Sequence, residues 1–179
     1  MRPPFYTIGH STRSVADLAT LLGEAGADLV ADVRTVPRSR ANPQFNADTL
    51  PDALAAFRIG YRRLPRLGGL RGRPKGSTSS PNGYWENESF RNYADYALTP
   101  PFREGLAELR ALGRERACAI MCAEAVWWRC HRRIIADYLT IEGETVLHIM
   151  GPGKIEPARV TPAAVHRPDG TLIYPATSG

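Results

Sequence analysis

Leu29-Val30-Ala31-Asp32-Val33, followed directly by Arg34, decides the fold. The run is apolar at every position except Asp32 and shows no alternation of polar and apolar residues. That is the signature of a strand buried on both faces, as in a parallel sheet covered by helices. Upstream, Val15, Leu18, Leu21 and Leu22 recur at helical spacing behind the Ser14-x-x-Asp17 arrangement, a variant of the capping box, and Gly26 is placed to stop that helix. Further upstream, Phe5-Tyr6-Thr7-Ile8 reads as a strand ending at Gly9-His10-Ser11-Thr12. The first unit is therefore βαβ.

The same alternation continues downstream. Thr49 is placed to cap a second helix with Pro51 in its first turn and Leu50, Leu54 and Phe57 on its apolar side; Gly60 ends it before a short strand at Tyr61 to Leu64. Pro65 to Asn87 is rich in Gly, Pro, Ser and Asn and reads as a long, basic, irregular loop. Helices follow at Ser89 to Ala97 and from Thr99-Pro100-Pro101 through Leu112, then a buried strand at Ala117 to Met121. A helix from about Arg129 to Leu139 leads to a strand at Thr145 to Ile149, and the tail is expected to add a small hairpin around Lys154 to Glu156 and Thr171 to Tyr174. Strands alternating with helices imply a three-layer, Rossmann-like α/β domain with a mostly parallel sheet of about five strands. No linker or repeat divides residues 1–179, so one domain is expected.

Composition excludes several classes. The chain has 179 residues, 43% hydrophobic and 23% charged, which suits one globular domain rather than a disordered or fibrous chain. Its longest apolar runs, such as Ala117 to Ala123, fall far short of the roughly 20 residues of a membrane span, and Met1-Arg2-Pro3-Pro4-Phe5 lacks the features of a secretory signal. A cytoplasmic location without membrane partners is the expectation. Three cysteines are an odd set that argues against a disulfide framework and for packing, metal or thiol chemistry. The net charge of +5 is uneven: residues 34 to 75 hold ten basic residues against Asp48 and Asp52, so that segment carries +8 and the remainder −3. Such asymmetry is the footprint of a polyanion or a phosphorylated small molecule, although 21 of the 23 basic residues are Arg, a bias that genome composition also produces.

In open α/β sheets, ligands bind beyond the carboxyl ends of the strands. Here those ends hold His10, Ser11, Asp32, Arg34, Arg38, Arg40, Arg66, Arg71, Cys122 and Glu124. Cys122 closes a strand just before a helix whose start holds Cys130-His131-Arg132-Arg133, and a thiol near a helix N-terminus and arginines is a better nucleophile at neutral pH. Alternatively, Cys118, Ile120 and Cys122 share one strand face and pack; Cys118, in mid-strand, is core. The strand, cysteine, loop, helix order also parallels phosphatase and rhodanese loops, but the phosphatase arginine position six after the cysteine is Trp128. A metal site from Cys122, Cys130 and His131 suffers because adjacent Cys130 and His131 point about 100° apart on a helix. Cys130 pairs with Cys122 as a redox couple if the loop folds back. Glu124 or Asp32 can orient His10 or serve as general base, while Asp32 can equally form an ion pair with Arg34 or Arg132. Trp127-Trp128 and Tyr84-Trp85 offer flat surface beside basic residues for base stacking, or fill core.

Taken together, Thr7-Ile8-Gly9-His10-Ser11, Asp32-Val33-Arg34 with Pro37 and Ser39, Leu67-Gly68-Gly69, Tyr93-Ala94 and Met121-Cys122-Ala123-Glu124 through Cys130-His131-Arg132 resemble the uncharacterised family called domain of unknown function 488. The resemblance implies a compact α/β domain with functional positions at His10, Ser11, Asp32, Arg34, Cys122, Glu124, Cys130, His131 and Arg132. It implies no activity.

Two readings follow. In the first, an anionic, phosphate-containing or nucleotide-like small molecule binds at the strand ends. Ser11, Arg34, Arg38, Cys130, His131 and Arg132 form the binding set, Cys122 acts as thiol, His10, Glu124 and Asp32 manage protons, and no cofactor or metal is called for. In the second, the chain is a non-catalytic nucleic-acid binder that uses the basic stretch as a phosphate track and Trp85 or Trp127 for stacking.

Overall fold

The computed structural model describes residues 2–72 and 79–177. Arg73 and Lys75 of the basic segment lie outside the described residues. The chain runs β1 (Phe5–Gly9), α1 (Val15–Ala25), β2 (Leu29–Asp32), α2 (Leu50–Ala55), β3 (Gly60–Arg63), α3 (Glu88–Tyr96), α4 (Pro100–Glu115), β4 (Cys118–Cys122), α5 (Arg132–Ile141), β5 (Val146–Gly151), β6 (Lys154–Pro157), β7 (Val165–His166) and β8 (Leu172–Ile173). Strands one to six form a single sheet in the order β3-β2-β4-β1-β5-β6. The first five are parallel, and β6 returns antiparallel along β5 at one edge. The architecture is the expected three-layer α/β fold.

The local signals explain most boundaries. Ser14 accepts the Asp17 N–H at 3.0 Å, and Gly26 ends α1 in the left-handed conformation at φ 90°. A side chain at Gly26 would have to adopt that conformation at a steric cost glycine does not carry. β2 is buried at all four positions, as its apolar composition requires.

Two apolar layers sandwich the sheet. Tyr6, Ile8, Val30, Ala119 and Met121 pack with Leu18, Leu21 and Leu22 of α1 and Leu50 and Leu54 of α2. Phe5, Leu29, Ala31, Cys118, Ile120 and Cys122 pack with Tyr93 of α3, Phe102, Leu106 and Leu109 of α4, and Ile134 and Ile135 of α5. The two sets alternate along each strand, the period-two consequence of the pleat.

Several expectations are corrected. The expected small hairpin is present in the tail, but Lys154 to Glu156 is not part of it. Lys154–Pro157 joins the main sheet beside β5, whereas Leu172–Ile173 pairs with Val165–His166. Tertiary anchoring decides this: Asp137 of α5 accepts the Thr161 N–H at 3.0 Å and the Tyr174 hydroxyl at 2.8 Å, which docks the tail on the helix. Phe57 lies beyond α2 and is 47% exposed instead of lining its apolar side. The Thr49 side chain makes no cap bond and instead donates to the Asn46 carbonyl. The helix expected from Arg129 is split: a single 3₁₀ turn at Trp127–Arg129 precedes α5.

Candidate functional site

β1 and β4 are neighbours in the sheet, yet the chain leaves β1 toward β2 on one side and leaves β4 toward β5 on the other. The first connection runs over the α1 face and the second over the α5 face, and adjacent strand ends whose connections take opposite faces leave a crevice between them, where open α/β sheets hold their ligands. A cleft of about 340 Å³ lies there, lined by His10, Ser11 and Thr12 after β1, Arg34, Val36, Arg38, Ser39 and Asn42 after β2, and Ala123, Glu124 and Ala125 after β4. The walls are tied together by backbone hydrogen bonds from His10 N–H to the Cys122 carbonyl at 2.9 Å and from Ser11 N–H to the Ala123 carbonyl at 3.0 Å. Gly9 makes this approach possible, because a Cβ at that position would overlap the Glu124 carbonyl.

On the α1 and α2 side of the sheet, Asp32 and Arg34 form a buried bidentate pair. Arg34 Nε donates to Asp32 Oδ1 at 2.9 Å and Nη2 to Oδ2 at 2.7 Å, and the Arg34 backbone N–H adds a third contact at 3.1 Å. The Tyr61 hydroxyl donates to Asp32 Oδ2, and Arg34 Nη2 also reaches the Phe45 carbonyl at 2.8 Å. Arg34 Nη1 lies 3.3 Å from His10 Nε2, and His10 Nδ1 lies 2.8 Å from the Ser11 carbonyl. A guanidinium can only donate and a carbonyl can only accept, so His10 is neutral with its proton on Nδ1. Burial, opposed by its bond to Ser11, lowers the His10 pKa below the ordinary histidine value, consistent with that state. The ring is stacked on Phe45 with centroids 4.3 Å apart. Asp32 makes no hydrogen bond to His10 and touches it through Arg34, while its negative charge also acts on the ring directly, opposing the drop in pKa. Of the two ion pairs considered for Asp32, the structure contains the one with Arg34.

On the α3 to α5 side lies a second cluster. Arg132 is fully buried and donates from Nη1 to Cys122 Sγ at 2.7 Å and to the Glu124 carbonyl at 2.7 Å, and from Nη2 to the Ala125 carbonyl at 3.1 Å. Its Nε has no partner, and among the described residues no carboxylate forms an ion pair with it. Burial lowers its pKa to about 10, partly offset by the charge of Glu124, so it stays protonated at neutral pH. The sulfurs of Cys122 and Cys130 meet beside it, and the Arg132 N–H reaches Cys130 Sγ at 3.4 Å. His131 Nε2 donates to the Val33 carbonyl at 2.9 Å, which leaves Nδ1 as acceptor 3.5 Å from Cys130 Sγ. Burial, more than the opposing bond to Val33, pulls the His131 pKa down to about 4.

The sheet thus divides the residues expected to act together. His10, Asp32 and Arg34 face α1 and α2; Cys122, Cys130, His131 and Arg132 face α3 to α5. The His10 and Cys122 side chains take opposite faces although their backbones are hydrogen-bonded, and neither Cys122 nor His131 lines the crevice. Ser11, Arg34, Arg38 and Glu124 do line it. The loop after Cys122 also departs from a phosphatase cradle, because the carbonyls of Glu124 and Ala125 turn inward and Arg132 fills the space. Among the described residues, no group of three or more His, Cys, Asp or Glu converges as metal ligands do. The stacking role considered for Trp85 and Trp127 is corrected: Trp85 is core, and Trp127 is stacked on His148 at 4.6 Å with its Nε1 bonded to Glu156. Tyr61, Phe45 and Asn42 were not anticipated. Tyr61 is the second residue of the edge strand β3, ahead of Arg62 and Arg63, and shares its strand face with Arg63, so no apolar pattern in the strand marks its role.

Fold and crevice define a mostly parallel α/β domain with a strand-end cleft beside β1, β2 and β4. The chain matches the family described as Domain of unknown function DUF488 over residues 14–139 and belongs to it. Comparison with curated proteins and with solved structures returns no match.

Proposed function

We propose that the chain binds a phosphate-containing, nucleotide-like small molecule in the crevice between the ends of β1 and β4. The observation that carries this reading is the lining itself: Arg38, the Arg34 face and the hydroxyl and amide groups of Ser11, Ser39 and Asn42 converge on one cleft at the switch point. Arg38 supplies the available charge. Its side chain is 72% exposed and its ion pair with Asp48 is long, at 3.6 Å, so a phosphate competes with that carboxylate at little cost. Glu124, exposed on the opposite wall, favours a ligand that also carries hydroxyl donors, as a ribose does, over a bare inorganic anion. Thiol chemistry on this ligand is the weaker part of the reading, because Cys122 lies behind the wall and not in it.

Calorimetric titration with a nucleoside monophosphate and with inorganic phosphate tests the proposal. The nucleotide is expected to bind more tightly, and Arg38→Ala to weaken it about tenfold, the loss of one charge-assisted contact. No binding of either probe, or an Arg38→Ala variant indistinguishable from the parent, overturns it.

The nucleic-acid reading keeps one specific support. Arg38 and Ser39 also line a neighbouring depression of about 470 Å³ with Arg40, Asn46 and Asp48, so the basic wall extends beyond the crevice. A strand laid across both depressions is the alternative occupant.

A further inference from the structure

We propose that Cys122 and Cys130 are a redox couple in which Arg132 is the counter-ion of a Cys122 thiolate, and that oxidation of this couple strengthens anion binding in the crevice. The second part rests on the crevice being an anion site. Arg132 is a fully buried guanidinium with no carboxylate ion-pair partner among the described residues and an unpartnered Nε, an arrangement that is costly unless an anion accompanies it. Of the two groups 2.7 Å from its Nη1, the Glu124 carbonyl and Cys122 Sγ, only the sulfur can ionise, and a thiolate there supplies the missing charge. Cys130 meets Cys122 sulfur to sulfur, and its Sγ lies 3.5 Å from His131 Nδ1. A depression of about 160 Å³ lined by Gly69, Ser89, Phe90, Arg129 and His131 ends at the imidazole whose Nδ1 lies 3.5 Å from Cys130 Sγ.

The oxidant class is a hydroperoxide. The Cys122 thiolate attacks the terminal peroxide oxygen, the O–O bond breaks, and the leaving alkoxide or hydroxide takes a proton from solvent, which leaves a sulfenic acid on Cys122. Cys130 then attacks that sulfur. The S–S bond forms as the S–O bond breaks, and the departing hydroxide leaves as water with the Cys130 proton. Two electrons pass from the dithiol to the peroxide. The product carries no negative charge on Cys122, so the charge of Arg132 is no longer offset. Arg132 holds the carbonyls of Glu124 and Ala125, which form one wall of the crevice. An uncompensated charge directly behind that wall attracts an anion in the cleft.

The test uses the full chain in reduced form. After brief hydrogen peroxide treatment, unfolding and alkylation, peptide mass spectrometry is expected to show Cys122 linked to Cys130, with Cys118 alkylated because it is buried in the strand and its thiol is pushed up to about 11. Cys130→Ser is expected to trap a sulfenic acid on Cys122 that reacts with dimedone. In the reduced protein, alkylation of Cys122 is expected to stay fast down to about pH 6, below the usual free thiol range near 8.5. Peroxide treatment that leaves both cysteines free, or Cys122 alkylation that falls off as an ordinary thiol does, overturns the couple. For the coupling, a nucleoside monophosphate is expected to bind about three- to tenfold more tightly to oxidised than to reduced protein. Equal or weaker binding overturns it. Absence of binding in both states overturns the crevice reading and the coupling together, while the cross-link result decides the redox couple by itself.

Discussion

Asp32→Asn isolates the polar half of the site. The substitution preserves size and leaves an oxygen to accept from Arg34 Nε, but it removes the charge and sets an amide N–H₂ against Arg34 Nη2 and the Tyr61 hydroxyl, both donors. Arg34 then stays 7% exposed without a counter-ion. Removing one partner of a buried ion pair costs about 3–5 kcal/mol, mostly the penalty of the charge left behind. Against a total stability of about 5–15 kcal/mol that is a large fraction. For a chain of this size each kcal/mol moves the melting temperature by about 2–4 °C, so a drop of roughly 6–20 °C is expected by far-UV circular dichroism at pH 7. Asp48→Asn is the control, since the Arg38–Asp48 pair is exposed at 72% and 60% and contributes about 0–1 kcal/mol. Asp32→Asn combined with Arg34→Met is expected to recover part of the loss, because no buried charge remains. A loss below about 1 kcal/mol for Asp32→Asn would refute the reasoning.

Other expectations follow from the same geometry. Tyr61→Phe removes one hydrogen bond to a buried carboxylate that keeps its arginine, and urea denaturation should register a loss of about 1–2 kcal/mol; no change would mean that the hydroxyl is not needed to satisfy Asp32. Burial pulls both His131 and His148 down to about 4. Between that value and about 6.5 the unfolded chain binds more protons than the folded one, so their contribution is present above about pH 6.5 and is lost as pH falls toward 4. The slope reaches about 1.4 kcal/mol per pH unit for each histidine, and a urea midpoint that stays constant from pH 7 to 4.5 would contradict it. Gly9→Ala forces the Glu124 carbonyl away from β1, so nucleotide affinity should fall even where circular dichroism shows the fold retained. Unchanged affinity would show that this wall of the crevice does not matter.

What the sequence discloses and what it withholds have a common physical origin. β1, β2 and β4 are legible because burial on both faces demands contiguous apolar residues, and the ends of α1 are legible because Ser14 and Gly26 act on their own neighbours. The two-residue strands β7 and β8 have no periodicity to read, and long-range bonds to Asp137 decide where the tail lies. The strand-end rule places His10, Asp32 and Cys122 at one edge, which is correct. It does not say which face of the sheet each takes. Side-chain parity within a strand is visible in the sequence, as for Cys118, Ile120 and Cys122, but parity between strands depends on register. Gly9 pairs with Cys122, and Asp32 with Met121. That register puts His10 and Asp32 on one side and Cys122 on the other.

The same placement reinterprets the basic segment and separates the two ligand readings. Arg34 is bound to Asp32, Arg66 approaches Glu104, Arg63 donates to the Thr35 carbonyl, and Arg71 bonds the carbonyls of Gly68 and Pro65 while lying 3.8 Å over the Tyr96 ring. Much of the local charge thus holds the strand-end loops in place and is not displayed as a continuous surface. Arg62 follows Tyr61 on β3 and takes the opposite face, so it does not extend the row begun by Arg38 and Arg40. A phosphate track of five to eight contacts would give a slope of log affinity against log salt of about −3.5 to −5.6 on a single strand. A crevice in which Arg38 and part of Arg34 meet the phosphate should give about −1 to −2. Oligonucleotide and mononucleotide titrations between 50 and 200 mM salt read this difference directly. Similar affinity for both ligands with the shallow slope is expected for a pocket, whereas affinity that grows with strand length along the steep slope would overturn the pocket and establish the track.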